Sequence, residues 1–130
     1  YTSDHGENIF DDNRKLFLHA SPVPSYYDLH VPFIIWTSQP YIRDFPDIAR
    51  AIVRNKAKTV ENSVATFHTM LQIAGIKTEY RRDSLSVASG FYTPGRRHYL
   101  NDHNRPVTLD KAGMDDEDFE MFRLKGITDI

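Results

Sequence analysis

The chain has 130 residues, of which 16 are basic and 18 acidic, 40% are hydrophobic and none is cysteine. That length accommodates one domain or part of one, since single domains commonly hold on the order of 100–200 residues. The near balance of charge excludes the broadly basic surface of a general nucleic-acid or anionic-membrane binder, and the lack of thiols excludes a disulfide framework and a thiolate metal site.

Tyr1-Thr2-Ser3 reads as the tail of a strand that feeds the loop Asp4-His5-Gly6, the place where open α/β sheets gather functional groups. Glu7 to Lys15 is polar and reads as an irregular excursion at the rim of a site. Val31 to Trp36, almost continuously apolar and with Pro32 at its beginning, predicts a strand buried on both faces of a largely parallel sheet. From Phe45 the pattern becomes helical, with Pro46 at the first turn and Ile48, Ala49, Ile52 and Val53 on one face. A second helix is predicted from Asn62 to Gly75, its stripe of Val64, Phe67, Leu71 and Ala74 packing on the sheet. Asn62 or Ser63 can cap its start, and Gly75 suits a left-handed stop.

Ile76 to Tyr80 reads as a short strand and Asp83 to Gly95 as a loop. Arg97 to Leu100 and Pro106 to Leu109 are predicted to pair across the turn-rich Asn101-Asp102-His103-Asn104. Asp115 to Asp118 suit the amino end of a last helix carrying Phe119 and Phe122, closed by Lys125 and Gly126. No apolar run approaches the roughly 20 residues that cross a bilayer, so any membrane anchor is expected outside this sequence.

The chemistry concentrates at the start. Asp4 offers a hard oxygen and His5 a borderline nitrogen, a pair suited to zinc or manganese, although a catalytic zinc needs a third protein ligand. The bland alternative is a turn in which Asp4 caps and His5 is exposed. Glu7 either orients His5 or caps a following turn. His30 is expected to fix the loop entering its strand through backbone hydrogen bonds, or else to line the pocket, and His68, within a helix, to be a packing or surface residue and not a ligand. Tyr26, Tyr27 and Phe17 suit either an acceptor contact or the core, and Arg81-Arg82 and Arg96-Arg97 either an anionic headgroup or solvent. His98, Asp102 and His103 match no strong metal spacing.

Ser3-Asp4-His5-Gly6-Glu7, then Leu18-His19 with Pro22, then His30-Val31-Pro32 ahead of Phe33 to Trp36, resembles the periplasmic phosphoethanolamine transferases of the sulfatase and alkaline phosphatase superfamily. A weaker similarity runs through Phe67-His68-Thr69 and Leu71 and becomes loose beyond Arg81. The resemblance implies an α/β fold: residues 1–130 would be the C-terminal portion of an alkaline-phosphatase-like (sulfatase-like) sandwich, with a largely parallel sheet and flanking helices. It implies that Asp4 and His5 hold zinc, with manganese as the alternative, and that His19 contacts the transferred phosphate, while Glu7 would either support His5 from behind or cap a turn.

A threonine nucleophile and an acidic ligand would lie upstream of the Asp-His pair. Phosphoethanolamine would then pass from a phospholipid donor, through a covalent threonine intermediate, to an envelope acceptor at the periplasmic face of the inner membrane. Nucleic acid is not an expected partner. The 130 residues alone are expected to be inactive and to self-associate through uncovered sheet edges. Sulfatases, phosphodiesterases and phosphoglycerol transferases share a comparable Asp-His segment, and a noncatalytic interaction module is the alternative from another class.

Overall fold

A computed structural model describes residues 1–19, 21–101, 103 and 105–128. In chain order the elements are β1 (Asn8–Ile9), β2 (Phe17–Leu18), α1 (Tyr26–Leu29), α2 (Gln39–Asp44), α3 (Pro46–Asn55), α4 (Asn62–Ile73), β3 (His98–Leu100), β4 (Pro106–Thr108) and α5 (Asp116–Leu124), with 3-10 turns at Asp83–Leu85 and Leu109–Lys111. The fold is mixed helix and strand. Among the described residues the strands form two two-stranded antiparallel sheets, β1 with β2 and β3 with β4, in place of the expected largely parallel sheet. No helix among them is long and apolar enough to cross a membrane. Two compact units result, one of Tyr1 with Phe33–Gly95, the other of Thr2–Pro32 with Arg96–Ile130.

In the first of these units, α3 and α4 begin and end close to their predicted bounds. Pro46 occupies the first turn of α3, where a missing N–H costs nothing. Gly75 takes φ +70 after α4, a conformation glycine adopts without Cβ strain. The face of α4 differs from expectation. Ala65 and Thr69 are the buried positions, while Phe67 is 52% exposed. The Thr69 hydroxyl accepts from Val87 N at 3.1 Å, and that bond turns the smaller side of the helix inward.

Of the run Val31 to Trp36, Phe33 to Trp36 belong to this unit and are half-buried on one side only. Phe33 and Ile35 pack against Ala65, Val87 and Tyr92, whereas Ile34 and Trp36 point to solvent, Trp36 being 82% exposed. A continuous apolar run is thus a one-faced segment, because no second layer covers its other side within this unit. The loop after Leu85 supplies core residues Val87, Ala88 and Tyr92, held by Asn55 Nδ2 donating to the Val87 and Ser89 carbonyls at 3.0 and 2.8 Å. Ile76 to Tyr80 forms no strand. The helix α2 was not foreseen: Ser38 caps it by accepting from Tyr41 N at 3.3 Å.

The other unit centres on Tyr26, Leu109, Ala112, Met114, Phe122 and Ile127. The predicted pairing of β3 with β4 is present, with His98 opposite Thr108 and Leu100 opposite Pro106; Asp102 and Asn104 of the predicted turn, and of the weighed His98–Asp102–His103 group, lie outside the described residues. Asp115 to Asp118 open α5 as expected. Asp118 does more than complement the helix dipole. It is 1% exposed, accepts from Tyr26 N at 2.7 Å, and receives both terminal nitrogens of Arg14 at 2.7 and 2.8 Å. Arg14 also reaches Asp12 at 2.6 Å and Asp115 at 3.1 Å, and these bonds, Asp118 foremost, hold its guanidinium firmly charged. The polar excursion before Leu16 is therefore tied down as a short antiparallel hairpin.

Arg14→Leu would strand the buried Asp118 carboxylate without its countercharge. The unfolding free energy is expected to fall by roughly 3–5 kcal/mol. Urea titration at unchanged m-value reads this out, and a loss below about 1 kcal/mol would show that Arg14 acts as a solvated surface charge.

Candidate functional site

Four groups at the start of the second unit described above make up the candidate site, and the backbone places them. Gly6 N donates to the Asp28 carbonyl at 2.7 Å, so the loop lies directly on α1. A Cβ at residue 6 would stand 1.8 Å from the Tyr27 carbonyl oxygen, so close approach, not a left-handed turn, is what requires glycine here. Ser3 Oγ donates to the His5 carbonyl at 2.7 Å and tightens the loop from its other side.

His5 Nδ1 lies 2.8 Å from the Gly6 carbonyl oxygen. A carbonyl only accepts, so the proton sits on Nδ1 and Nε2 keeps its lone pair. That bond is the main reason the His5 pKa lies above its ordinary value, with Asp4, Glu7 and Asp28 adding to it. Asp4 Oδ2 faces His5 Nε2 at 3.7 Å. The Asp4 carboxyl is held below its usual range, first by its own backbone N–H and then by the charge of His5.

Two ligand atoms on a tetrahedral zinc at about 2.0–2.1 Å stand about 3.3 Å apart, so this pair is close to the separation such an ion needs. His5, Glu7 and His19 each offer a ligand atom within 4.8 Å of the others. Asp4 stands outside that trio and its side chain is 88% exposed. Glu7 Oε1 is 2.8 Å from His19 Nδ1 and 3.7 Å from His5 Nδ1, so its hydrogen bond goes to His19. The imidazoles of His5 and His19 lie face to face at 3.9 Å, tilted by 38°. The donor set, two imidazoles and carboxylates with no thiol, fits zinc or manganese.

Behind these groups lies a buried polar cluster of Asn8, Ser25 and Asp28. Asn8 Nδ2 donates to Asp28 Oδ1 at 2.7 Å and to the Leu18 carbonyl at 2.9 Å, and Asn8 Oδ1 accepts from Ser25 Oγ at 2.7 Å. Ser25 N donates to Asp28 Oδ2 at 2.9 Å, which completes a capping box on α1. Ser25-x-x-Asp28 is a legible signal for that box, but no local pattern points to Asn8.

Among the other weighed residues, Tyr26 is core, whereas Phe17 is exposed and stacks on Phe10 at 5.1 Å. His68 Nδ1 accepts from Arg82 N at 3.2 Å. His30 meets the Tyr26 hydroxyl through Nδ1, a side-chain tie where backbone bonding of the loop was expected.

Over 83 residues, 62% of this chain, the sequence is 34% identical to the phosphoethanolamine transferase EptA of Salmonella typhimurium strain LT2. The likeness is to a phosphoethanolamine transferase. The chain spans 15% of that relative's length. No family model matches the chain, and no solved structure matches it.

Gly6→Ala should force the loop off α1. A loss of about 1–3 kcal/mol in urea titration is expected, together with faster amide exchange at residue 6. Unchanged stability and exchange would mean that the Tyr27 carbonyl moves aside freely.

Burial, with Lys125 and Arg97 nearby, pushes the His30 pKa below its ordinary value. The folded chain thus prefers neutral His30. Its contribution is complete above about pH 6.5 and declines below it, where the unfolded chain takes up the proton first. Denaturant midpoints at about pH 8 and about pH 5.5 should differ more for the native chain than for His30→Gln. Equal differences would remove His30 as a source of acid sensitivity.

Proposed function

We propose that this chain is a C-terminal part of a metal-dependent transferase that moves phosphoethanolamine from a phospholipid to a cell-envelope acceptor. The convergence of His5, Glu7 and His19 on one spot, with Asp4 against His5, carries the reading. The likeness to a phosphoethanolamine transferase gives it a substrate class. The same reading makes the fold part of an alkaline-phosphatase-like domain and its location the periplasmic face of the inner membrane.

Asp4 and His5 would hold the metal, zinc first and manganese as the alternative. When bound, that ion would supply Lewis-acid stabilisation of the phosphoryl oxygens and a lowered pKa for the nucleophile. This chain's own residues do the rest of the work at the near side of the phosphate. The Gly6 carbonyl fixes His5 with Nε2 outward. His19 would donate to a phosphoryl oxygen, or pass a proton to a leaving group, from a protonated Nε2, its Nδ1 being bonded to Glu7.

In the proposed reaction a threonine hydroxyl, on the segment that precedes the Asp-His pair in the family resembled, attacks phosphorus. The bond from phosphorus to the glycerol oxygen breaks, and that oxygen leaves with a proton. The acceptor hydroxyl or phosphate then attacks the phosphothreonine and releases the threonine oxygen, which takes back a proton.

A longer protein containing this chain should carry near-stoichiometric zinc and hydrolyse or transfer a phosphoethanolamine diester. Chelation should abolish turnover, and His5→Ala should lose both metal and activity while remaining folded. Full activity in His5→Ala would overturn the assignment.

A further inference from the structure

Glu7 is a possible ligand by residue type, yet its geometry gives it a different task. Its carboxylate lies 2.8 Å from His19 Nδ1 and 3.7 Å from His5 Nδ1, and the His5 atom is already engaged by the Gly6 carbonyl. An ionised carboxylate only accepts hydrogen bonds, so the contact requires the proton on His19 Nδ1 and leaves Nε2 with the free lone pair.

The same two-residue step grips His19 from its backbone. Asn8, 2% exposed, donates to the carbonyl of Leu18, whose φ of +61 is a left-handed conformation unfavourable for a residue with a bulky side chain. A hydrogen bond from a buried side chain thus supports the turn that precedes His19. The His5 ring at 3.9 Å blocks rotation of the His19 imidazole on its other face.

We propose that Glu7 is the positioning residue for His19, accepting from Nδ1–H so that Nε2 is the atom left for the site, as a base when neutral and as a donor to a phosphoryl oxygen once protonated. The identity of the group that meets Nε2 rests on the transferase reading; the tautomer does not. Glu7 bonds to His19 and not to His5, so its removal should leave zinc binding by Asp4 and His5 in place.

The test is imidazole 15N spectroscopy of the 130-residue chain at about pH 8.5, where free histidine is neutral. His19 should show an unprotonated Nε2 in the native chain. Glu7→Gln should retain that pattern, because the amide oxygen still accepts from Nδ1. Glu7→Ala should shift His19 toward the Nε2–H form, while His5, held by Gly6, keeps its own pattern and reports an intact loop.

Titration with zinc alone should show binding retained in Glu7→Ala and lost in His5→Ala. An unchanged His19 tautomer in Glu7→Ala would overturn the proposal, as would a zinc loss as complete as that of His5→Ala. The tautomer switch without zinc uptake by the native chain would support the positioning role and count against the transferase reading.

Discussion

The unit that carries the site depends on one group of buried hydrogen bonds, those joining Asn8, Ser25 and Asp28. All three side chains are shielded from water, and every polar atom of Asn8 and Asp28 in this group has a partner within the protein. Such a cluster adds little net stability when complete, but leaving any one member unpaired costs about 1–3 kcal/mol. The asymmetry makes the arrangement close to all-or-none. It fixes α1, the β1–β2 pair and the Leu18 carbonyl at once, and α1 in turn receives the Gly6 amide.

The consequence for chemistry is a matter of chain distance. Glu7 precedes Asn8, and His19 follows Leu18, so each functional group is one residue from an atom in the buried cluster. Asp4 and His5 are held by shorter local bonds from Ser3 and Gly6. Arg14 adds the long-range tie. Its contacts with Asp118 and Asp115 bind the hairpin to the start of α5, 104 and 101 residues away in sequence. A solvent-facing cluster of carboxylates and imidazoles is thereby mounted on a fixed base, the condition under which an ion or a phosphate would bind without reorganisation.

How much of this was legible varies with the range of the interaction. Local signals served well: Pro46 and Gly75 marked helix ends, the acidic run marked the start of α5, and Asn101 to Asn104 separated two strands that do pair. Burial on a chosen face was harder to read. Val31 to Trp36 has the composition of a two-sided strand, yet whether Trp36 is covered depends on a second layer that its own sequence does not encode. The stripe on α4 failed for a related reason, since the Thr69 hydroxyl turned a polar face inward. In the candidate site, Asp4, His5, Glu7 and His19 were readable as residue types in a spaced pattern. That Glu7 bonds to His19 and that Asn8 holds the turn were not, because both depend on pairings across 12 and 10 residues.

The claim at the centre is that Asp4 and His5, supported by Glu7 and His19, form a nitrogen- and oxygen-donor metal site. The most direct measurement is X-ray absorption at the zinc edge of the chain loaded with one equivalent of zinc. The account predicts a light-atom shell at about 2.0–2.1 Å with outer scattering from imidazole, and weakening of that imidazole signal in His5→Ala. A spectrum that is the same in His5→Ala, or that shows only loosely held water ligands, would contradict it.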